Sequence, residues 1–150
     1  MKTHAETIIV GAGAAGAVLA ARITESSERE VLLLEAGPDY PNPSDLPQDL
    51  ADGRRNSMTR HDWGLRHRPT TQQMLFPLPR GKVVGGSSAV NTCIALRGQP
   101  EDYEEWASLG LDEWGWSDCL WAFKRLENDL DFSDEHHGND GPLPLRRPRA

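Results

Sequence analysis

Apolar and polar positions along this chain fall into two regimes. Thr7-Ile8-Ile9-Val10 is a short β-branched apolar run that stops at a glycine, the pattern of a buried strand. Residues 14–25 are rich in alanine and leucine and contain no proline, which predicts a helix. A polar break at Ser26-Ser27-Glu28-Arg29 precedes a second apolar run, Val31-Leu32-Leu33-Leu34, closed by Glu35. Strand, helix and strand within about 30 residues make a βαβ unit, with parallel strands and a right-handed crossover.

The pattern then breaks down. Seven of the 11 prolines lie in residues 37–80, where apolar positions are scattered. This stretch reads as a long, mostly irregular excursion with one short strand near 63–68. Residues 81–98 are small and apolar again. Residues 99–110 predict a helix: Pro100 suits its first turn, four acids follow at 101, 102, 104 and 105, and Gly110 suits its exit. Ser117 is placed to cap a further helix to about Asn128, with Leu120, Phe123 and Leu126 on one face. Residues 129–150 are charged and rich in Pro and Gly, and read as loop; no internal repeat is visible.

Composition narrows the class. Hydrophobic residues are 37% of 150, enough for a globular core. The net charge of -7 argues against a nucleic-acid partner. Arg146, Arg147 and Arg149 form the single basic cluster and read as a solvated end. Cys93 and Cys119 form no CxxC and no metal spacing, which excludes a disulfide framework, favours a reducing compartment and predicts a cytoplasmic location. The uncharged stretch 7–21 is shorter than the about 20 residues a membrane helix needs. With Lys2 ahead of it, it loosely mimics a signal peptide, but its three glycines have a better explanation.

That explanation is Gly11-Ala12-Gly13-Ala14-Ala15-Gly16, a G-x-G-x-x-G turn between predicted strand and predicted helix. Gly11 permits the tight turn, Gly13 leaves room for a pyrophosphate, and Gly16 lets the helix pack on the strand, with Ala20 and Ile23 continuing that face. The helix start offers free N–H groups and partial positive charge to the phosphates. Glu35, 24 residues after Gly11, is placed to accept from a ribose 2′-hydroxyl and to repel a 2′-phosphate, which disfavours an NADP-type site. The plainer alternative is a glycine turn before an alanine-rich helix, with Glu35 merely exposed. This unit supports ADP binding without separating FAD from NAD.

A second cluster, Gly85-Gly86-Ser87-Ser88, allows consecutive N–H groups to point into one anion-binding concavity, with two hydroxyl donors added. Lying far from the first turn in sequence, it suggests a second contact to one extended ligand. The alternative is a simple turn between a Val83-Val84 strand and a short helix starting near Ser87. The residues themselves leave these two readings open.

The stretch Gly81-Lys82-Val83-Val84-Gly85-Gly86-Ser87-Ser88-Ala89-Val90-Asn91, continued by Ala95 and Gly98, resembles the first signature of the glucose–methanol–choline (GMC) flavin oxidoreductases, in particular choline dehydrogenase-like members. The flanking text agrees: Leu32 to Gly37, Asp62-Trp63, Leu96-Arg97-Gly98, Asp102-Tyr103, Trp106, Gly115-Trp116, His137-Gly138 and Gly141-Pro142-Leu143. The resemblance runs from about Thr7 to Leu145. It implies an α/β fold: part of a Rossmann-type FAD-binding domain with an incomplete parallel sheet. It also implies FAD, bound mostly non-covalently. Carried over by position, Gly11, Gly13, Ala14, Ala15 and Gly16 meet the pyrophosphate, and Glu35 with Ala36 the adenosine. Val84, Gly86, Ser87, Asn91, Thr92, Cys93 and Ile94 lie along the flavin. Some relatives tether the flavin through a histidine before the asparagine; Val90 stands here, so no such tether is expected.

The resemblance further implies oxidation of a CH–OH donor, an alcohol, by hydride transfer to flavin N5, with a histidine base from a much later part of the chain. None of His4, His61, His67, His136 and His137 lies in a motif that matches this base, and each is expected to face solvent. No catalytic residue and no metal ligand is assigned. A doubly wound domain needs about five or six strands, so the rest of the FAD domain and the substrate domain are expected to come from outside residues 1–150. Two other readings stand beside this one: a truncated FAD-binding module without catalysis, and an NAD-dependent dehydrogenase, which leaves 81–98 unexplained. Substrate, electron acceptor and oligomeric state are not legible.

Overall fold

The computed structural model describes residues 4–26, 28–57 and 59–147 and divides into two compact units, Met1–Ile94 and Ala95–Ala150. In the first unit, β1 (Thr7–Val10), α1 (Ala14–Ile23) and β2 (Val31–Leu34) form the βαβ unit at the expected positions. β1 and β2 pair in parallel with Thr7 opposite Val31 and Val10 opposite Leu34. The Gly11 N–H donates to Leu34 O at 2.7 Å and carries the pairing into the glycine turn. Gly16 lies against the turn: a Cβ there would collide with Gly11 O, so helix and strand meet as closely as a missing side chain allows. Ala20 and Ile23 share this half-buried face, while the rest of α1 is exposed.

The sheet itself is bare. Val10 is 84% exposed and Ile8 58%, and Leu32 and Leu34 stand open on β2. Apolar burial in this unit lies instead at Ala12, Val83 and Val90, where the glycine turn meets the second cluster. The excursion contains a 3-10 turn (Pro43–Asp45), a single-turn α2 (Gln48–Ala51) and a two-residue hairpin ladder, β3 (Arg66–His67) with β4 (Phe76–Pro77). β3 falls inside the expected 63–68 strand.

Val83 and Val84 form no strand. The amides of Val84 and of the flanking Lys82 and Gly85 go to three separate partners: Lys82 N to His61 O, Val84 N to Pro38 O, and Gly85 N to Ala12 O, at 2.7 to 3.0 Å. A segment bonded to three different pieces of chain lies outside any one ladder, whatever its β propensity. The short helix α3 (Ser87–Val90) follows directly.

In the second unit, α4 (Pro100–Ser108) begins with Pro100 and closes a capping box between Gln99 and Asp102. Gly110 takes the left-handed conformation at its exit, φ +91°. α5 (Trp116–Leu126) starts before Ser117, so the expected serine cap is not made. Gly115 is the N-cap, and the Trp116 N–H is held by the Glu104 carboxylate at 3.1 Å. Buried Tyr103 sits among the rings of Trp106, Trp116 and Phe123, with centroids 5.4 to 5.9 Å apart, and forms the apolar centre of this unit.

The expected loop at 129–150 is corrected too. β5 (Glu127–Asp129) pairs in parallel with β6 (Leu143–Leu145). Glu-Asn-Asp carries no apolar alternation, so nothing in the pattern announces a strand. Its two carboxylates are buried and bound instead: Arg97 lies on Glu127, and Arg147 on Asp129. Arg147 is therefore no solvated end; Arg149 lies outside the described residues.

Candidate functional site

The two glycine clusters, about 70 residues apart in sequence, touch each other. Gly13 and Gly85 form a parallel bridge, and a Cβ on Gly86 would come 2.8 Å from the Gly13 Cα. Gly86 also adopts φ +56°, a conformation that disfavours any side chain. What joins them is the Gly85 N–H donating to Ala12 O.

Beside this junction lies a cavity of about 550 Å³, lined by Val10, Gly11, Gly13, Leu34, Glu35, Ala36, Trp63, Arg80, Gly81, Gly86 and Ser87. Of the residues singled out from sequence, Gly11, Gly13, Glu35, Ala36, Gly86 and Ser87 are thus brought to one volume. Ala14, Ala15 and Gly16 stand at the N-terminal turn of α1, behind the Gly13 N-cap. No side chain caps that turn, so its first amides stay available to an anion. Val84, Asn91, Thr92, Cys93 and Ile94 do not line the cavity. Val84 precedes α3 and the other four follow it, where Asn91 Oδ1 accepts the Cys93 N–H at 2.8 Å and Cys93 adopts φ +55°.

Glu35 is anchored rather than loose. Its two carboxylate oxygens accept the Ala12 N–H at 2.8 Å and the Gly37 N–H at 2.9 Å. The Gly37 amide above all holds its pKa below the ordinary 4.5, against a smaller opposing effect of burial, with Ala12 and Ala36 adding to the lowering. The group is a carboxylate at neutral pH. Each oxygen keeps a lone pair, which suits it to accept from the hydroxyls of a ribose and to repel a phosphate in their place.

Sequence reasoning passed over Trp63 and Arg80 as site residues. Both lie on the cavity wall, and Trp63 is half exposed with the Lys82 Nζ 4.8 Å over its ring. The Asp62-Trp63 pair and the Arg80-Gly81 step were visible as text, but only the fold of the excursion shows them beside Glu35. The histidines also differ from expectation. His4 and His136 are exposed, whereas His61 is 2% exposed and His67 and His137 are half-buried.

The comparisons give this geometry its family. The N-terminal GMC oxidoreductase family model matches residues 5–143. The chain is 39% identical to the 5-(hydroxymethyl)furfural oxidase of Methylovorus sp. (strain MP688), over 93% of this chain and 28% of the relative. It is 40% identical to an oxygen-dependent choline dehydrogenase of Stenotrophomonas maltophilia (strain K279a), over 100% of this chain and 28% of the relative. Among solved structures, pyridoxine 4-oxidase from Mesorbium loti superposes with a TM-score of 0.81 at 33% identity, over 97% of this chain and 29% of that one. The chain belongs to the GMC oxidoreductase family, and its fold is part of that family's Rossmann-type domain. The family's cofactor is FAD. The chain spans between a quarter and a third of the length of these relatives. Among the described residues, no helix is long and apolar enough to cross a membrane.

The residues present fit FAD. Two glycines meet where side chains would fill the gap, an uncapped helix start stands beside them, and an ionised carboxylate closes one end.

Proposed function

We propose that residues 1–150 are the N-terminal part of the FAD-binding domain of a flavin-dependent oxidoreductase acting on CH–OH groups, with a small alcohol as substrate. The observation that carries this is the single cavity shared by Gly11, Gly13, Glu35, Ala36, Gly86 and Ser87. Glu35 and Ala36 take the adenosine. Gly11, whose own N–H goes to Leu34 O, shapes the turn, and the amides of Gly13 and of the α1 start, Ala14, Ala15 and Gly16, take the pyrophosphate. Val84, Gly86, Ser87 and the 91–94 segment lie toward the flavin.

FAD, when bound, supplies a hydride acceptor at N5. This chain's residues bind and orient it. The remaining sheet strands, the substrate domain and the catalytic base belong to the rest of the protein. The bare β1–β2 sheet supports this, since apolar strands left open at their faces call for cover. His61 is no stand-in for the base: its Nε2 is engaged by Tyr40, and it lines no part of the cavity. The two free thiols, Cys93 and Cys119, support a cytoplasmic setting.

The test is anaerobic mixing of the protein, expressed from its complete reading frame and loaded with FAD, with a panel of small primary alcohols. Bleaching of the visible flavin bands by at least one alcohol is expected. A flavin that binds but is reduced by none would favour the non-catalytic reading instead.

A further inference from the structure

His61 is the one fully buried histidine among the described residues, and the proposed function does not use it. Its Nε2 lies 3.0 Å from the Tyr40 hydroxyl, and the Tyr40 ring meets the imidazole edge-on at 5.6 Å. Its Nδ1 faces the Asp49 carboxylate at 3.4 Å, within ion-pair range but longer than a good hydrogen bond. Asp49 accepts the Ser57 hydroxyl at 2.5 Å, and the Ser57 N–H donates to Val90 O. An Nδ1–H turned toward the carboxylate leaves Nε2 to accept the Tyr40 O–H.

The backbone of the same residue reaches the other way. His61 O accepts the Lys82 N–H at 2.7 Å. Asp62 accepts the Arg80 and Gly64 N–H groups at 2.8 and 3.0 Å, and the Trp63 N–H donates to Arg80 O at 3.0 Å. Residues 61–63 are thereby laced to 80–82, and Trp63, Arg80 and Gly81 from this lacing line the cavity. Tyr40 belongs to the segment that leaves β2 through Glu35 and Ala36, which line the same cavity.

We propose that His61 is a positioning residue for the cofactor. Held by Tyr40, it fixes the Trp63–Arg80 wall at its distance from the Glu35–Ala36 wall, so that the adenosine end of FAD meets two preformed sides. This rests on the FAD reading of the cavity. It assigns His61 and Tyr40 a role neither could have by contact, since neither lines the cavity. The principle is preorganisation: a wall already ordered costs less to bind against.

The experiment is a titration of FAD into the flavin-stripped full-length protein, followed by flavin fluorescence, with circular dichroism to check folding. Unsubstituted protein that takes up no FAD overturns the reading of the cavity and this inference together. If it binds, Tyr40→Phe and His61→Phe should each weaken FAD by about tenfold, and His61→Gln, which keeps an acceptor toward Tyr40, should restore most of the affinity. In a Trp63→Ala background, Tyr40→Phe should add little, because both act through one wall. FAD binding unchanged in Tyr40→Phe, or a loss that adds in full to that of Trp63→Ala, would overturn the role of His61 while leaving the cavity's reading intact. Tyr40→Phe removes a single oxygen and carries the test even where His61→Phe does not fold.

Discussion

The Gly86 Cα and the Gly13 Cα are close enough that no side chain fits on Gly86: a Cβ there would lie 2.8 Å from Gly13. Both neighbours are backbone, so neither can swing aside. Gly86 also has φ +56°. Gly86→Ala therefore meets strain and collision together, at the junction that shapes the cavity. A loss of FAD affinity of tenfold or more is expected by titration, with a stability cost of about 1–3 kcal/mol in urea. Gly64→Ala is the control: φ is +67° but nothing lies within 4 Å of the added methyl. It should cost about 1 kcal/mol from conformation alone and leave FAD affinity unchanged.

Glu35 links fold and ligand through pH. Its folded pKa is depressed, so its contribution to stability is present above its ordinary 4.5 and is lost as pH falls through that value and below it. Urea midpoints should be flat from neutral pH to about pH 5 and fall below it, part of that fall coming from Glu35. Glu35→Gln should lower the plateau, because an amide cannot accept from both Ala12 and Gly37, and should flatten the acid limb. The same variant should bind FAD more weakly and discriminate less against a 2′-phosphorylated nucleotide.

How much of this was legible in the sequence depended on where the physical cause lay. The βαβ unit was readable because a β-branched run, a glycine turn and an alanine-rich helix follow one another locally, and Gly16 packs as its missing side chain requires. The family was readable from residues 81–98. The meeting of Gly13 with Gly86 was not, since contact between residues 73 positions apart leaves no local trace. Val83-Val84 misled for the same reason: its strand propensity was overridden by three separate backbone partners. The wall made by Trp63 and Arg80, and the burial of His61, both come from how a proline-rich excursion folds back. The strand at Glu127–Asp129 escaped because ion pairs, rather than apolar alternation, bury it.

Those ion pairs give the second unit an acid-sensitive point. Arg147 above all holds the Asp129 pKa well below the usual carboxylate range, and the amides of Asp131 and Phe132 add to it against burial. The His137 Nδ1 lies 3.0 Å from the same carboxylate and 3.2 Å from Glu127. Arg147→Ala removes the main partner of an enclosed charge, so it should lower the thermal midpoint clearly. Asp129→Asn combined with Arg147→Ala should recover part of that loss, because the stranded charge is then gone. Equal midpoints for single and double variants would show that the charge is not what matters.

The central claim is that this cavity takes FAD. Its most direct test is to express the protein from its complete reading frame, purify it, release any bound nucleotide by denaturation and identify it chromatographically and by mass. The prediction is FAD, close to one per chain, and stoichiometric FAD uptake by the stripped protein. Bound NAD, or a stripped and folded protein that takes up no FAD, would contradict the account.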